Sequence, residues 1–426
     1  MVQIQIVNAE DFKYERNLET GTAEQLTTVQ GIINDVKAKG DQAVKDYTKQ
    51  FDRVEINQLR VSAEEIQAAY QQLSQELVEI IRQARDNIRD YHEKQLQTSW
   101  FTTQENGNVL GQKVTPLERV GVYVPGGTAA YPSSVLMNVL PAKIAGVKEI
   151  VMCTPPGNDG IPAAILVAAN ECGITEIYRV GGAQAVAALA YGTETIGKVD
   201  KITGPGNIYV AIAKKLVYGI VDIDMIAGPS EILVACDDSA EVAYVAADML
   251  SQAEHDVMAA AYCVTLSQQQ AEEIQRELSV QLATLPRNEI AKKSLDQQGK
   301  IIVARDRSEM LRIINEIAPE HLEMMVEEPF SYLGEIRHAG AIFLGRYSSE
   351  PVGDYFAGPN HVLPTSGTAR FSSPLSVDDF IKKSSVIYYS RNAMQENGRK
   401  IVAFANEEGL DAHGRAIAIR LEREGL

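Results

Sequence analysis

The hydrophobic pattern divides the chain into two grammars. Over the first 100 residues apolar positions recur at helical spacing among polar ones, as in residues 77–88 (LVEIIRQARDNI), and predict packed amphipathic helices. From Val120 the pattern changes to short β-branched runs that end in glycine or proline. These are VGVYVPGG, then EIVMCTPPG from Glu149, EIYRVGG from Glu176, KVDKITGPG from Lys198 and DIDMIAGPS from Asp222. Between them lie alanine-rich segments of helix composition, residues 161–170 and 183–191. Strand, glycine turn and helix repeating about every 25 residues predict βαβ units on a parallel sheet. A second series is predicted through residues 259–266 (AAAYCVTL), 301–304 (IIVA) and 339–344 (AGAIFL), giving two α/β halves. Residues 393–426 are charged and helical in pattern, the form of a tail that docks on another body.

Composition narrows the reading. At about 150 residues per domain, 426 residues imply two to three domains, and 45% hydrophobic with 23% charged residues is a globular composition. Lys plus Arg number 40 against 57 Asp plus Glu, and the resulting −17 disfavours nucleic acid and anionic membranes as partners. Cys153, Cys172, Cys236 and Cys263 form no CxxC pair, which fits a reducing compartment better than a disulfide framework. The opening MVQIQIVNAEDF lacks a basic stretch followed by an apolar one, and no run approaches 18 apolar residues. The expectation is a cytoplasmic protein with no membrane segment.

Three Gly-Pro loops, Thr203-Gly-Pro-Gly-Asn207, Ala227-Gly-Pro-Ser-Glu231 and Ala357-Gly-Pro-Asn-His361, are placed at or near strand C-terminal ends, where ligands bind in open α/β sheets. Singly each is an ordinary turn; the polar residues Asn207, Ser230 and His361 that follow point to binding. Neither GxGxxG nor GxxxxGK[ST] occurs, so a dinucleotide would lack the standard pyrophosphate turn. Gln252 and His255 stand three apart on a helical segment and can converge on one ion. Asp354 precedes His361 by seven residues, and His413 closes Glu408-Gly-Leu-Asp-Ala-His413. Donors of this mixed type suit a borderline ion such as zinc, with room left for substrate. Ala318-Pro-Glu-His321 reads as a helix start with Pro319 at its first position. There the positive helix end would keep Glu320 ionised and His321 neutral, a catalytic pair at neutral pH. His92 and His338 read as structural or solvated.

Taken together these motifs resemble the histidinol dehydrogenase family from about Val120 to the C-terminus. The resemblance is carried by Glu118-Arg-Val-Gly-Val-Tyr-Val-Pro-Gly-Gly127, Gly181-Gly-Ala-Gln-Ala185, Ser251-Gln-Ala-Glu-His255, Ala318-Pro-Glu-His321, the Thr203 and Ala227 loops, and residues 353–361. It implies two Rossmann-like, incomplete, aldehyde-dehydrogenase-like parallel-sheet domains with helical N- and C-terminal segments. The boundaries expected are a segment 1–20, a discontinuous domain of 21–120 with 230–373, an NAD-side domain 121–229, and a tail 374–426. It implies oxidation of L-histidinol to L-histidine through bound L-histidinal, by two hydride transfers to NAD, with one Zn2+ per subunit. The implied zinc ligands are Gln252, His255, Asp354 and His413. Substrate contacts fall on Ser230, Gln252, His255, Glu320, His321, Asp354, His361, Glu408 and His413, and NAD contacts on Tyr123, Gln184 and Asn207. His321 becomes the base for the hydroxyl proton and Glu320 the activator of water. A homodimer is implied in which the tail of one subunit completes the partner's site.

Other chemistries stay open on the residues alone. An acyl-enzyme route needs a cysteine nucleophile, for which Cys153 in VMCTPP is the candidate, with no base evident beside it. A zinc hydrolase could use Gln252, His255, Asp354 and Glu320 around a metal-bound water. A non-catalytic metal binder is disfavoured by the paired bases.

Overall fold

The computed structural model describes residues 3–14, 21–126 and 130–426; part of the expected segment 1–20, and Gly127 of the first glycine motif, lie outside the described residues. The chain forms two compact units, residues 1–95 with 118–380, and residues 96–117 with 381–426.

The first unit contains two all-parallel sheets. The smaller has the spatial order Ile177–Arg179, Glu149–Thr154, Arg119–Tyr123, Lys201–Thr203, Asp222–Ile223. Numbered along the chain this is 3-2-1-4-5, the doubly wound order less its last strand. The larger sheet runs Gln5–Asn8, Lys300–Val303, Ala260–Thr265, Glu231–Cys236, His321–Met325, Ala341–Leu344. Without the added edge strand Gln5–Asn8, its order is again 3-2-1-4-5. Both halves expected from the hydrophobic pattern are therefore present, as one topology used twice.

Side chains alternate across the larger sheet, as the two-residue strand period demands. Ile232, Val234 and Cys236 meet the helices Val242–Ala253 and Gln268–Leu282, while Leu233 and Ala235 meet the helix Arg307–Ile317. In the smaller sheet's core the helix Gly182–Tyr191 is buried throughout residues 183–190, six of which are alanine or valine, so neighbouring backbones approach closely. The early helix Ala23–Lys39 packs Val29, Ile32, Ile33 and Val36 into that core. Helix Gln75–Glu93 buries Val78, Ile81, Ala84 and Ile88, the stripe predicted from its spacing.

Charged side chains tie together one end of each sheet. At the N-terminal edge of the smaller sheet Arg119 pairs with Glu149 and Glu176, and Lys201 with Asp222. At the C-terminal edge of the larger sheet the Asp237 carboxylate accepts the backbone N–H groups of Ser239 and Glu327.

The second unit is an antiparallel sheet, Ile381–Tyr388, Val109–Pro116, Trp100–Thr103, with the helices Arg391–Glu407 and Asp411–Glu424. The helices were expected from the charged periodicity; the strand ahead of them was not. Trp100, Phe101, Ile387, Tyr388 and Phe404 are exposed there.

Candidate active site

In a doubly wound sheet the crevice forms where strand order reverses, between the first and fourth strands. In the smaller sheet these are Arg119–Tyr123 and Lys201–Thr203, and a cavity of about 680 Å³ opens at their C-terminal ends. Tyr123, Gln184 and Asn207, the three expected cofactor contacts, all line it. The Asn207 side chain caps the helix Ile208–Val217, its Oδ1 accepting the N–H groups of Tyr209 and Val210. The Tyr123 hydroxyl accepts the Gly182 N–H at 3.1 Å, and burial pushes its pKa up to about 12. Gln184 is buried, and its Oε1 has no partner.

The Thr203–Asn207 loop is held from below. Gly204 has φ +116°, and a Cβ there would lie 1.9 Å from the Tyr123 carbonyl oxygen, so only glycine fits. Its N–H donates to Asp224 Oδ2 at 2.8 Å and its carbonyl accepts from Lys214 Nζ at 3.0 Å, while Lys214 and Asp224 form a buried ion pair.

The larger sheet places its chemistry at the opposite end. Ala318-Pro-Glu-His321 is not a helix start: the helix Arg307–Ile317 ends there, Ala318 turns the chain at φ +51°, and His321 begins the central strand His321–Met325. Pairing with both Glu231–Cys236 and Ala341–Leu344 outweighs the local proline signal. With no helix dipole at this point, the expected ionised Glu320 is also corrected. Burial, together with the charges of Glu231, Glu350 and Asp354, drives its pKa well above the usual carboxylate range, against the one N–H bond that lowers it. The neutral His321 is found, with burial as its cause.

One residue orients the pair. The backbone N–H of Glu231 donates to Glu320 Oε2 at 2.9 Å, and its carbonyl receives His321 Nδ1 at 3.2 Å. A carbonyl only accepts, so Nδ1 carries the proton and Nε2 keeps its lone pair. His321 Nε2 lies 3.9 Å from Glu350 Oε1, and Glu350 is 4.0 Å from His255 Nε2. His361 Nδ1 lies 3.9 Å from Asp354 Oδ1.

A cavity of about 730 Å³ is lined by His321, Asp354 and His361. Gln252 sits in the last turn of its helix and His255 just past the helix end, in place of the single helical face expected. Both carboxamide atoms of Gln252 are enclosed without a partner, and so is His361 Nε2. Orphaned donors and acceptors of this kind are costly unless a ligand satisfies them. Among the described residues His321, Glu350 and Asp354 bring ligand atoms within 4.8 Å of one another. Burial raises Glu350 to about 7 and Asp354 to about 6, and lowers His361 to about 4. A cation is the natural counterweight to such a group, and the nitrogen, amide and carboxylate donors fit zinc.

Ser230 lies in the loop before the strand Glu231–Cys236, and the Ala357–His361 loop follows the short helix Glu350–Tyr355. Of the three Gly-Pro loops, that at Thr203 follows its strand directly, that at Ala227 begins four residues past the end of the strand Asp222–Ile223, and that at Ala357 follows a helix instead. Glu408 and His413 belong to the second unit, where both are exposed. His92 is buried as a structural residue, its Nδ1 2.7 Å from Gln95 Oε1. Glu231 and Glu350 were missed from sequence, although Glu350 and Asp354 stand four apart, one helical turn, a legible signal.

Two doubly wound sheets, one with an open crevice and the other carrying an imidazole–carboxylate cluster, define a ligand-binding protein of the α/β class. A family model described as histidinol dehydrogenase matches residues 15–421. The histidinol dehydrogenase of Halalkalibacterium halodurans is 59% identical over 411 residues, covering 96% of this chain and 97% of its own. That of Bacillus subtilis is 59% identical over 419 residues, covering 98% of each. The crystal structure of histidinol dehydrogenase from Elizabethkingia anophelis superposes with a TM-score of 0.95 at 38% identity over 100% of both chains. The chain belongs to the histidinol dehydrogenase family. Among the described residues no helix is long and apolar enough to cross a membrane.

Proposed function

We propose that the chain oxidises L-histidinol to L-histidine through bound L-histidinal, with zinc and two equivalents of NAD, as a cytoplasmic enzyme of histidine biosynthesis. The observation that carries this reading is the fixed His321 tautomer, which leaves a neutral imidazole lone pair at the cavity that Asp354 and His361 also line.

Gln252, His255 and Asp354 would hold the metal, with His413 supplied by a partner subunit. Zinc, when bound, fixes the substrate's amine and imidazole and so supplies orientation. NAD, when bound against Tyr123, Gln184 and Asn207, accepts the hydride. His321 Nε2 takes the hydroxyl proton of the alcohol as the hydride leaves. Glu320 would take a proton from the water that adds to the aldehyde in its ionised form, a state that burial and the neighbouring carboxylates oppose and that the charge of a bound cation would favour. After releasing that first proton to solvent, His321 removes the hydrate's proton for the second oxidation. Ser230, His361 and the partner's Glu408 complete the substrate contacts. The exposed Trp100, Phe101, Ile387, Tyr388 and Phe404 of the second unit supply apolar area for a homodimer that shares its sites.

A cysteine route is disfavoured by the fully buried Cys153, whose thiol burial pushes up. The test is reduced-nicotinamide absorbance on mixing protein, histidinol and NAD, with and without a chelator. Signal lost with the chelator and restored by zinc is expected; a zinc-loaded protein giving no signal refutes the reading and leaves the hydrolase.

A further inference from the structure

The cavity of the smaller sheet has an acid that the sequence reading left aside. Asp52 follows the helix Asp41–Phe51 and lines the cavity. Its Oδ2 is enclosed without a hydrogen-bond partner, and burial alone raises the carboxyl to about 6. Among the described residues lining the cavity there is no lysine, arginine or histidine. By contrast two other little-exposed carboxylates of this half are engaged, Asp224 with Lys214 and Gly204, and Glu171 with Arg82 and Arg85. With the Gln184 Oε1 also unpartnered, the cavity presents two enclosed acceptors and no cation. Phe51 and Tyr209, both partly exposed, add aromatic surface for a flat base. Such a lining suits a nucleoside that brings hydroxyl donors and penalises one that brings a phosphate monoester.

In doubly wound sheets an acid past the second strand commonly takes the ribose hydroxyl, and an arginine there admits the 2′-phosphate. Here the second strand, Glu149–Thr154, is followed by the uncharged Pro155, Pro156, Gly157 and Asn158, and Asp159 beyond them is not among the residues lining the cavity. Resting on the reading of this cavity as the cofactor site, we infer that Asp52 accepts the adenosine ribose hydroxyls of NAD. It thereby selects NAD against the 2′-phosphorylated dinucleotide.

The test is direct binding of NAD, NADP and 2′-deoxy-NAD by titration calorimetry, which needs no turnover. The wild type is expected to bind NAD at least roughly tenfold more tightly than NADP or 2′-deoxy-NAD. Asp52→Asn is expected to lose most of the preference over NADP, and its affinities for NAD and 2′-deoxy-NAD to converge. Asp52→Glu keeps the charge and is expected to retain a preference. Equal binding of NAD and 2′-deoxy-NAD by the wild type overturns the inference without any variant. So does an Asp52→Asn protein, folded by circular dichroism, that discriminates as the wild type does. Failure of the wild type to bind either NAD or NADP instead removes the cofactor reading itself, and the inference with it.

Discussion

The two parallel sheets share one strand order and use it in opposite senses. The smaller keeps its C-terminal crevice open, with glycine loops, a capping Asn207 and largely uncharged walls. The larger seals that end with Asp237 and gathers Glu231, Glu320 and His321 at its N-terminal end instead. Topology therefore locates the crevice line, while side chains decide which of its ends does chemistry. In the proposed mechanism the smaller sheet recognises and the larger one reacts, and the two tasks should separate on mutation.

The strongest separation is expected at His321. His321→Asn should lower turnover by roughly 10²–10⁴-fold, the worth of a positioned base, while NAD binding and zinc content stay unchanged. Loss of NAD binding in that variant would break the division between the sheets. The reverse case is Gly204→Ala, where the backbone collision should destabilise the loop by about 2 kcal/mol or more. Denaturation midpoint and NAD affinity should fall together, and zinc content should not.

A smaller effect sharpens the electrostatic contrast. The folded-state values of Glu350, about 7, and Asp354, about 6, lie above their ordinary carboxylate values. Their neutral forms favour the fold, so that contribution is complete below about pH 4 and is lost as pH rises through 6 to 7. A cation should offset the loss, so zinc should raise the melting temperature more at about pH 8 than at about pH 5. A zinc shift independent of pH would detach these carboxylates from the metal. The smallest effect is expected from Cys153→Ser, which should keep most activity; an inactive, folded, zinc-loaded variant would return the cysteine route.

What was legible in the sequence follows the same division. The strands of the smaller sheet are apolar runs closed by glycine or proline, and all five stand where the pattern put them. In the larger sheet EILVAC and HLEMM open with Glu231 and His321, so the side chains that make the site also hid the strands. Pro319 followed by Glu320 carried a local helix signal, which pairing on both sides of a central strand overrode. Gln252 and Asp354 stood out by spacing, but the orphaned carboxamide became visible only once its surroundings were placed. Asp52 had no signal: an acid at a helix end is ordinary until a cavity encloses it.

One blueprint drawn twice supplies four doorways, of which this chain leaves two ajar. The other two are bolted by the Arg119 and Asp237 arrangements, bonds that serve no step of the proposed chemistry. For protein engineering they are vacant addresses. The edge held by Arg119, Glu149 and Glu176 is the place to build a third ligand recess, away from the two crevices already open.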